Sequence, residues 1–411
     1  MTISLCMIVK DEAATLAATL SSARDWVDEI VVIDTGSVDT TRAIARSWGA
    51  EVYTIPWTDD FAAARNASLV HASGDWVLVL DADEVLLPAA AQVLRSLDRG
   101  QPLGTTAAAD VLAVNLLRLE LGALQAPYTL ITRFFRRLPE VHFERPYHET
   151  VDDSMASLQA QTPTWQVVTL TDVAIHHSGY SPVVIMERSK VERARQIMEG
   201  YLAIHADDLY LANKLAALYI QADQIDRALP LLNRALTQVD SLDPITRYEL
   251  YYHRALAYTQ DHPELAVKDY ALALDQAVPL SLTLGALINL GSLRKDQGDL
   301  VAALELFNRA IAVDPNLAIA HYNLGTTHRA SGYLDGAIAA YKAAISLRPD
   351  YPEAHQNLGV VLFKLGQIPE ALEAFSQAIQ LYEKIDPDYA RSLGAGVRSL
   401  GVPSHLLELI L

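Results

Sequence analysis

Two carboxylates one residue apart, Asp81 and Asp83, close the apolar run 76–80 in the stretch GDWVLVLDADEVLLP, residues 74–88. Like charges that close repel unless something positive lies between them, and a divalent cation with oxygen ligands meets that need. A polar turn ahead of a helix starting near Pro88 accounts for the same residues without a cation. Asp34 ends a second apolar run, EIVVID at 29–34. If both runs are strands of one sheet, Asp34 and Asp81 open into the crevice beyond the strand ends, where such sheets bind ligands.

The elements that must position these carboxylates are legible over residues 1 to about 100. ISLCMIV (3–9), EIVVID (29–34), EVYTI (51–55) and WVLVLD (76–81) read as strands. EAATLAATLSSA, VDTTRAIARSW and FAAARNASLVHA, between them, read as helices. Near-continuous apolar strands alternating with helices predict a parallel sheet covered on both faces. From about 105 to 180 the pattern is mixed, with strands expected in ADVLAVNLLRLEL, YTLITRFFRR and WQVVTLTDVAIHHSGY. This region completes the same domain and closes over the crevice.

Beyond residue 183 the pattern is helical and repeats. Gly291, Gly325 and Gly359 are 34 residues apart, as are Gly298, Gly332 and Gly366, and Phe307, Tyr341 and Phe375. Helix pairs of this kind bury their apolar faces only by stacking, with small residues where helices approach closely. Two looser units precede them, one with Leu215, Ala216, Tyr219, Ala228, Leu232 and Ala235, the other with Leu256, Ala257, Ala266, Tyr270 and Ala273. The tail SHLLELIL reads as a capping helix. Tyr251, Tyr252, Tyr322 and Tyr333 fit either a concave groove or the packing between repeats.

Composition narrows the function classes. The 411 residues exceed one ordinary core, and 51% hydrophobic content supports two. A formal net charge of −18 repels phosphate polymers, so no nucleic acid partner is expected. One cysteine, Cys6, excludes an internal disulfide framework and fits a reducing, cytoplasmic setting; its apolar surroundings suggest a buried structural thiol. No run of apolar residues is long enough to span a bilayer.

MIVKDEAATL, EIVVIDTGSVDTTRAIA, DDFAAARNASL, GDWVLVLDADEVL and FFRR followed by YHE occur in that order. Over residues 1 to about 180 the chain resembles a family 2 glycosyltransferase of the GT-A nucleotide-diphospho-sugar fold. The repeats, with their leucine-glycine pairs and Ala-x3-Phe/Tyr-x2-Ala core, resemble tetratricopeptide repeats. The combination is similar to the branch that includes bacteriocin peptide S-glycosyltransferases. One departure is Asp11, where that branch commonly has Asn.

The resemblance implies a Mn²⁺ or Mg²⁺ ion and a nucleotide sugar, with a UDP-sugar favoured as donor. Asp83 of the DXD motif would ligate the metal, and Asp81 would hold the ribose or share the ion. Asp34 would bind uracil or ribose, Gly36 and Ser37 would let backbone approach the nucleotide, and Glu12 would border the base. Arg65 and Asn66 would orient the nucleotide and carboxylates. An inverting transfer needs a base near the acceptor atom, which suits Glu149. His148 is a ligand, a diphosphate contact or the base itself. His176 and His177 point to opposite faces of a strand, so at most one faces the site, and His177 is the metal-ligand candidate. Arg133, Arg136 and Arg137 either neutralise diphosphate or edge a strand.

The expected architecture is therefore an α/β GT-A domain with a Rossmann-like mixed sheet at 1–182 and a linker helix at 183–208. An all-α tetratricopeptide-repeat solenoid of about five units follows at 209–385, with a capping segment at 386–411. The expected activity is metal-dependent, inverting hexosyl transfer. The repeats would recruit a peptide or protein acceptor or support a homo-oligomer, and glycan or lipid acceptors stay open. Two other readings share these residues. One is a non-catalytic repeat scaffold whose first domain senses nucleotide sugar. The other is a sugar nucleotidyltransferase, although the glycine-rich loop that activity uses is absent after the first strand.

Overall fold

In the computed structural model, residues 2–178 and 184–401 are described. The order along the chain is β1 (Ile3–Val9), α1 (Leu16–Ala23), β2 (Glu29–Asp34), α2 (Thr41–Ser47), β3 (Glu51–Thr54), α3 (Phe61–His71) and β4 (Trp76–Val79). Then come β5 (Glu84–Leu86), α4 (Pro88–Asp98), β6 (Val111–Glu120), β7 (Tyr128–Arg136), α5 (Asp152–Gln161) and β8 (Gln166–His177). The eight strands form one sheet in the order β3-β2-β1-β4-β7-β6-β8-β5. The first four are mutually parallel. β7 then pairs antiparallel with β4 and β6, and β5 antiparallel with β8, making the sheet mixed.

The apolar strands are continuous because both faces are covered. Leu5 and Met7 of β1 join Leu16, Leu20, Trp76 and Leu78 in one core. Cys6, between them, points the other way and joins Val31, Val77, Phe135 and Met155. Alternation at period two thus splits one apolar run between two cores. Burial pushes the Cys6 thiol up to about 12, as expected of a structural cysteine. Trp76 stacks on Phe134 at 4.8 Å, with the Arg136 guanidinium 4.7 Å from its ring centre. Arg136 also donates to the Val111 and Ala108 carbonyls, and Arg137 to that of Gly74, so both brace strands.

Contacts divide the chain into two units, Met1–Ala123 with Pro127–Asp240, and Leu124–Ala126 with Ser241–Leu411. The first therefore also holds α6 (Val184–Ile204), α7 (Leu209–Gln221) and α8 (Ile225–Leu236). The second contains α9 (Pro244–Tyr258), α10 (Pro263–Leu274), α11 (Leu284–Asp296), α12 (Leu300–Val313), α13 (Ala318–Ala330), α14 (Leu334–Leu347), α15 (Pro352–Lys364), α16 (Ile368–Glu383) and α17 (Pro387–Arg398). The capping helix expected at 404–411 lies outside the described residues. Among the described residues no helix is long and apolar enough to cross a membrane.

The 34-residue spacing has a steric cause. A Cβ built on Gly291, Gly325 or Gly359 would lie 2.6, 2.7 or 2.8 Å from the ring of Phe307, Tyr341 or Phe375. Each pair seats an aromatic of one helix against bare backbone of its partner. Gly325→Ala is expected to lower the urea midpoint, because overpacking costs about 1–3 kcal/mol against a helix-propensity gain of roughly 1 kcal/mol. Gly396→Ala, in α17 with nothing within 4 Å, is the matched control and should be neutral or stabilising. Of the tyrosines considered for a groove, Tyr252 packs against Tyr248 and Tyr270, and Tyr322 against Tyr341 and Tyr351. Tyr333 is exposed.

Candidate active site

The chain leaves β4 through a tight turn in which Glu84 N donates to the Asp81 carbonyl and Asp81 N to the Glu84 carboxylate. Thr19 of α1 donates to the Ala82 carbonyl at 2.8 Å, fixing the turn against the sheet. Asp81 and Asp83 then diverge. Asp81 accepts from Arg65 Nη2 at 2.5 Å and from Arg133 Nη2 at 3.2 Å. Burial opposes the Asp81 charge, but Arg133 and Arg65 outweigh it and hold the carboxyl well below its usual range.

Asp83 faces a histidine. His177 Nε2 lies 3.1 Å from Asp83 Oδ2, and His177 Nδ1 lies 2.5 Å from Glu120 Oε2. Arg118 bridges Glu120 to the buried Glu84, which returns to the Asp81 amide. The turn is thus held by a closed ring of side chains from β5, β6 and β8. Asp83 and then Glu120 raise the His177 pKa to about 10.

Arg65, on α3, joins the turn to a second segment. Its side chain is 4% exposed, and its Nε donates to Glu149 Oε1 at 2.6 Å. Asn66 beside it exchanges two hydrogen bonds with the Phe143 backbone, pinning the start of the 144–150 loop. Glu144 and Thr150 close that loop by mutual backbone bonds, and Phe61 N donates to the Pro146 carbonyl. Arg145 and His148 have φ of 74° and 54°. Left-handed backbone at a non-glycine residue costs on the order of 1–3 kcal/mol and persists only where surroundings enforce it.

The loop after β2 is built around Asp34. Its buried carboxylate accepts from Ser37 N at 3.1 Å and Gly36 N at 3.3 Å, and Gly36 has φ 106°. Asp11, also left-handed, accepts from Val38 N at 2.7 Å, while its own amide donates to Ser37 Oγ. An Asn at position 11 would offer the same acceptor oxygen, which accounts for the departure from the family pattern.

These segments enclose a cleft of about 470 Å³ at the ends of β1, β2 and β4. Of the residues expected in the site, Glu12, Arg65, Asp81, Asp83, His148 and Glu149 line it. Asp34, Gly36, Ser37 and Asn66 shape the loops around it instead, and His177 reaches it through Asp83. Of the expected metal ligands, Asp83 and His177 pair with each other, and Asp81 is engaged by two arginines. Of Arg133, Arg136 and Arg137, Arg133 lines the cleft, and the other two bond backbone carbonyls. Sequence reasoning missed Arg118, Tyr147 and Tyr210, which also line it. For Arg118 and Glu120 a signal existed: two charges at positions i and i+2 ending an apolar strand.

Among the described residues no cluster of three or more His, Cys, Asp or Glu side chains is arranged to hold a metal ion. Asp83 and His177 nonetheless fit a hard divalent cation that takes one or two protein ligands and completes its shell with phosphate oxygens and water. Glu120 on the far ring nitrogen is the carboxylate partner that ligating histidines use to fix orientation. Arg65 Nη1 and Arg133 Nη1 are buried without a hydrogen-bond partner among the described residues. Orphaned cationic donors in a cleft wall suit an anionic ligand.

The family model described as "Glycosyl transferase family 2" matches residues 4–138, and tetratricopeptide repeat models match 291–332, 325–366 and 352–385. A TPR repeat-containing protein of Synechococcus elongatus is 43% identical over 314 residues, covering 76% of each chain. The chain carries an N-terminal family 2 glycosyltransferase domain followed by C-terminal tetratricopeptide repeats. An uncharacterized glycosyltransferase of Rickettsia bellii is 28% identical over 44% of this chain and 60% of its own length. The prophage-derived glycosyltransferase SunS of Bacillus subtilis is 25% identical over 50% of this chain and 46% of SunS. Among solved structures, the TPR protein YrrB covers 50% of this chain and 100% of YrrB, at 21% identity and a TM-score of 0.40. The family 2 match ends at residue 138, before Glu149, His177 and Tyr210.

Proposed function

We propose that the enzyme transfers a hexose from a nucleotide-diphosphate sugar, with a UDP-sugar as the favoured donor, to a peptide or protein acceptor recruited by the repeats. The observation that carries this reading is the pairing of Asp83 with a carboxylate-oriented His177 beside the Arg65 bridge from Asp81 to Glu149, all at one cleft. The loops built by Asp34, Asp11 and Ser37 border the nucleotide. Asp83 and His177 would hold Mn²⁺ or Mg²⁺, which supplies positive charge against the departing diphosphate. Arg65 and Arg133 hold Asp81 as a fixed anion in the cleft floor.

In the proposed step the acceptor atom bonds to the anomeric carbon from the face opposite the diphosphate. The bond from that carbon to the diphosphate oxygen breaks, and the oxygen leaves with the electron pair, inverting the centre. The acceptor proton passes to Glu149 Oε2, while Oε1 stays on Arg65. Nucleotidyl transfer is less well supported, because the segment after β1 presents Lys10, Asp11 and Glu12 in place of a glycine-rich loop.

Thermal melting of the full chain with UDP-, GDP- and TDP-sugars, each with Mn²⁺ or chelator, tests the reading without an acceptor. A donor at a hundred times its Kd stabilises by about 2.7 kcal/mol, a rise of roughly 5–10 °C for a domain of this size. The rise is expected with UDP-sugars and Mn²⁺ and should disappear with chelator. No rise with any nucleotide sugar would overturn the reading.

A further inference from the structure

The cleft draws on residues well past the part of the chain that matches the family 2 model. Tyr210, in the first turn of α7, lines it together with Tyr147, His148 and Glu149. α7 carries the first of the looser repeat-like patterns, yet it packs in the same unit as the sheet. What ties it there is Arg145 of the 144–150 loop. Arg145 Nε donates to Asp208 Oδ2 at 2.6 Å, and its guanidinium lies 4.8 Å from the Tyr210 ring centre. Both partners of that pair are nearly buried, with side chains 8% and 10% exposed. The other carboxylate oxygen of Asp208 caps α7 by accepting from Leu211 N at 2.8 Å. Arg145 also donates to Asp153 at the start of α5. α6 makes a parallel contact, with Arg193 donating to Asp59 and lying over Trp57, another cleft residue.

We propose that Arg145 and Asp208 are positioning residues, a clamp through which the α7 N-terminus holds the His148–Glu149 loop in its working conformation and Tyr210 walls the cleft beside it. The proposal rests on the glycosyl-transfer reading of that cleft. A loop with two left-handed residues needs its geometry imposed from outside, and the clamp is a buried, charged constraint that reaches it. Helices resembling a recruiting repeat are then part of the catalytic unit. A misplacement of about 1 Å in a catalytic group is enough to cost on the order of a hundredfold in rate.

The test uses the full-length protein with Asp208→Asn, Arg145→Met and Arg145→Lys. Asn caps a helix as well as Asp does, so Asp208→Asn removes the charge pairing while α7 keeps its cap. Hydrogen exchange read by mass spectrometry should quicken at amides 144–150 in Asp208→Asn and Arg145→Met, with the sheet unchanged. UDP release from UDP-glucose with Mn²⁺ and no acceptor should fall on the order of a hundredfold in kcat, with KM within about twofold of the parent. Arg145→Lys should recover part of that rate. Unchanged exchange at 144–150, or a lowered melting temperature with kcat and KM lost together, would overturn the clamp. If the parent protein releases UDP from no donor, the transfer reading fails, and the exchange measurement alone then decides the clamp.

Discussion

Asp83→Ala is expected to abolish the Mn²⁺-dependent rise in melting temperature with a UDP-sugar while leaving the ligand-free melting temperature close to the parent's. The Asp83 carboxylate is partly exposed and pairs with His177, outside both cores, so its removal spares them. On the proposed reading it supplies the anionic ligand of a two-ligand site, and His177 alone cannot hold a hard cation against water. Glu120→Gln should act more gently, lowering metal affinity about 10–100-fold, since it disturbs only the orientation and basicity of His177. The sign of the pH dependence follows from the same ring. Without a cation, His177 is protonated up to about pH 10. Metal binding must displace that proton, so affinity should rise with pH, by about tenfold from pH 7 to pH 8. Titration calorimetry with Mn²⁺ and UDP at the two pH values reads this directly. An affinity that falls with pH would remove His177 from the site.

Arg65→Met should be the most damaging single change in the cleft. The guanidinium is buried between Asp81 and Glu149, and it stays protonated because those two charges outweigh the cost of burial. Removing it leaves two inward carboxylates without their shared cation, a loss of about 3–5 kcal/mol for a broken buried pair. Urea unfolding should show that loss, and UDP release from a donor should vanish. Asp81→Asn placed in the Arg65→Met background should recover part of the stability and none of the turnover. Full additivity of the two substitutions would mean that the bridge between them carries no coupling.

Much of this architecture could be read from residue order alone, and the exceptions have physical reasons. β1, β2 and β4 were legible because each is buried on both faces and therefore largely apolar, whereas β3, an edge strand with no fully buried residue, was legible from its Val52, Tyr53 and Thr54. β5 was not, being three residues within LDADEVL that pair only with β8, far along the chain. The acidic residues at strand ends were visible as chemistry, but not their division of labour. Asp34 reads like a ligand contact and is spent on the amides of its own loop, and Asp81 is spent on two arginines from α3 and β7. His177 was singled out, whereas its orienting partner Glu120 lies 57 residues earlier and meets it only because β6 and β8 are neighbours. Arg145 and His148 gave no sign of left-handed backbone, since neither is glycine. Tyr210 was hidden by its setting, an apolar helical pattern that reads as repeat packing.

The glycine-to-ring seats at Gly291, Gly325 and Gly359 are identical in kind, and each involves only the two helices of one repeat. Such an array is a sum of local terms rather than one indivisible core. A duplication or deletion of 34 residues within it therefore preserves every seat that remains. The Arg65 bridge, the His177 ring and the Arg145–Asp208 pair are formed by residues before Asp240, so such a change removes none of the residues that make them. Selection can thus lengthen or shorten the array in whole steps while the residues of the cleft are inherited unchanged.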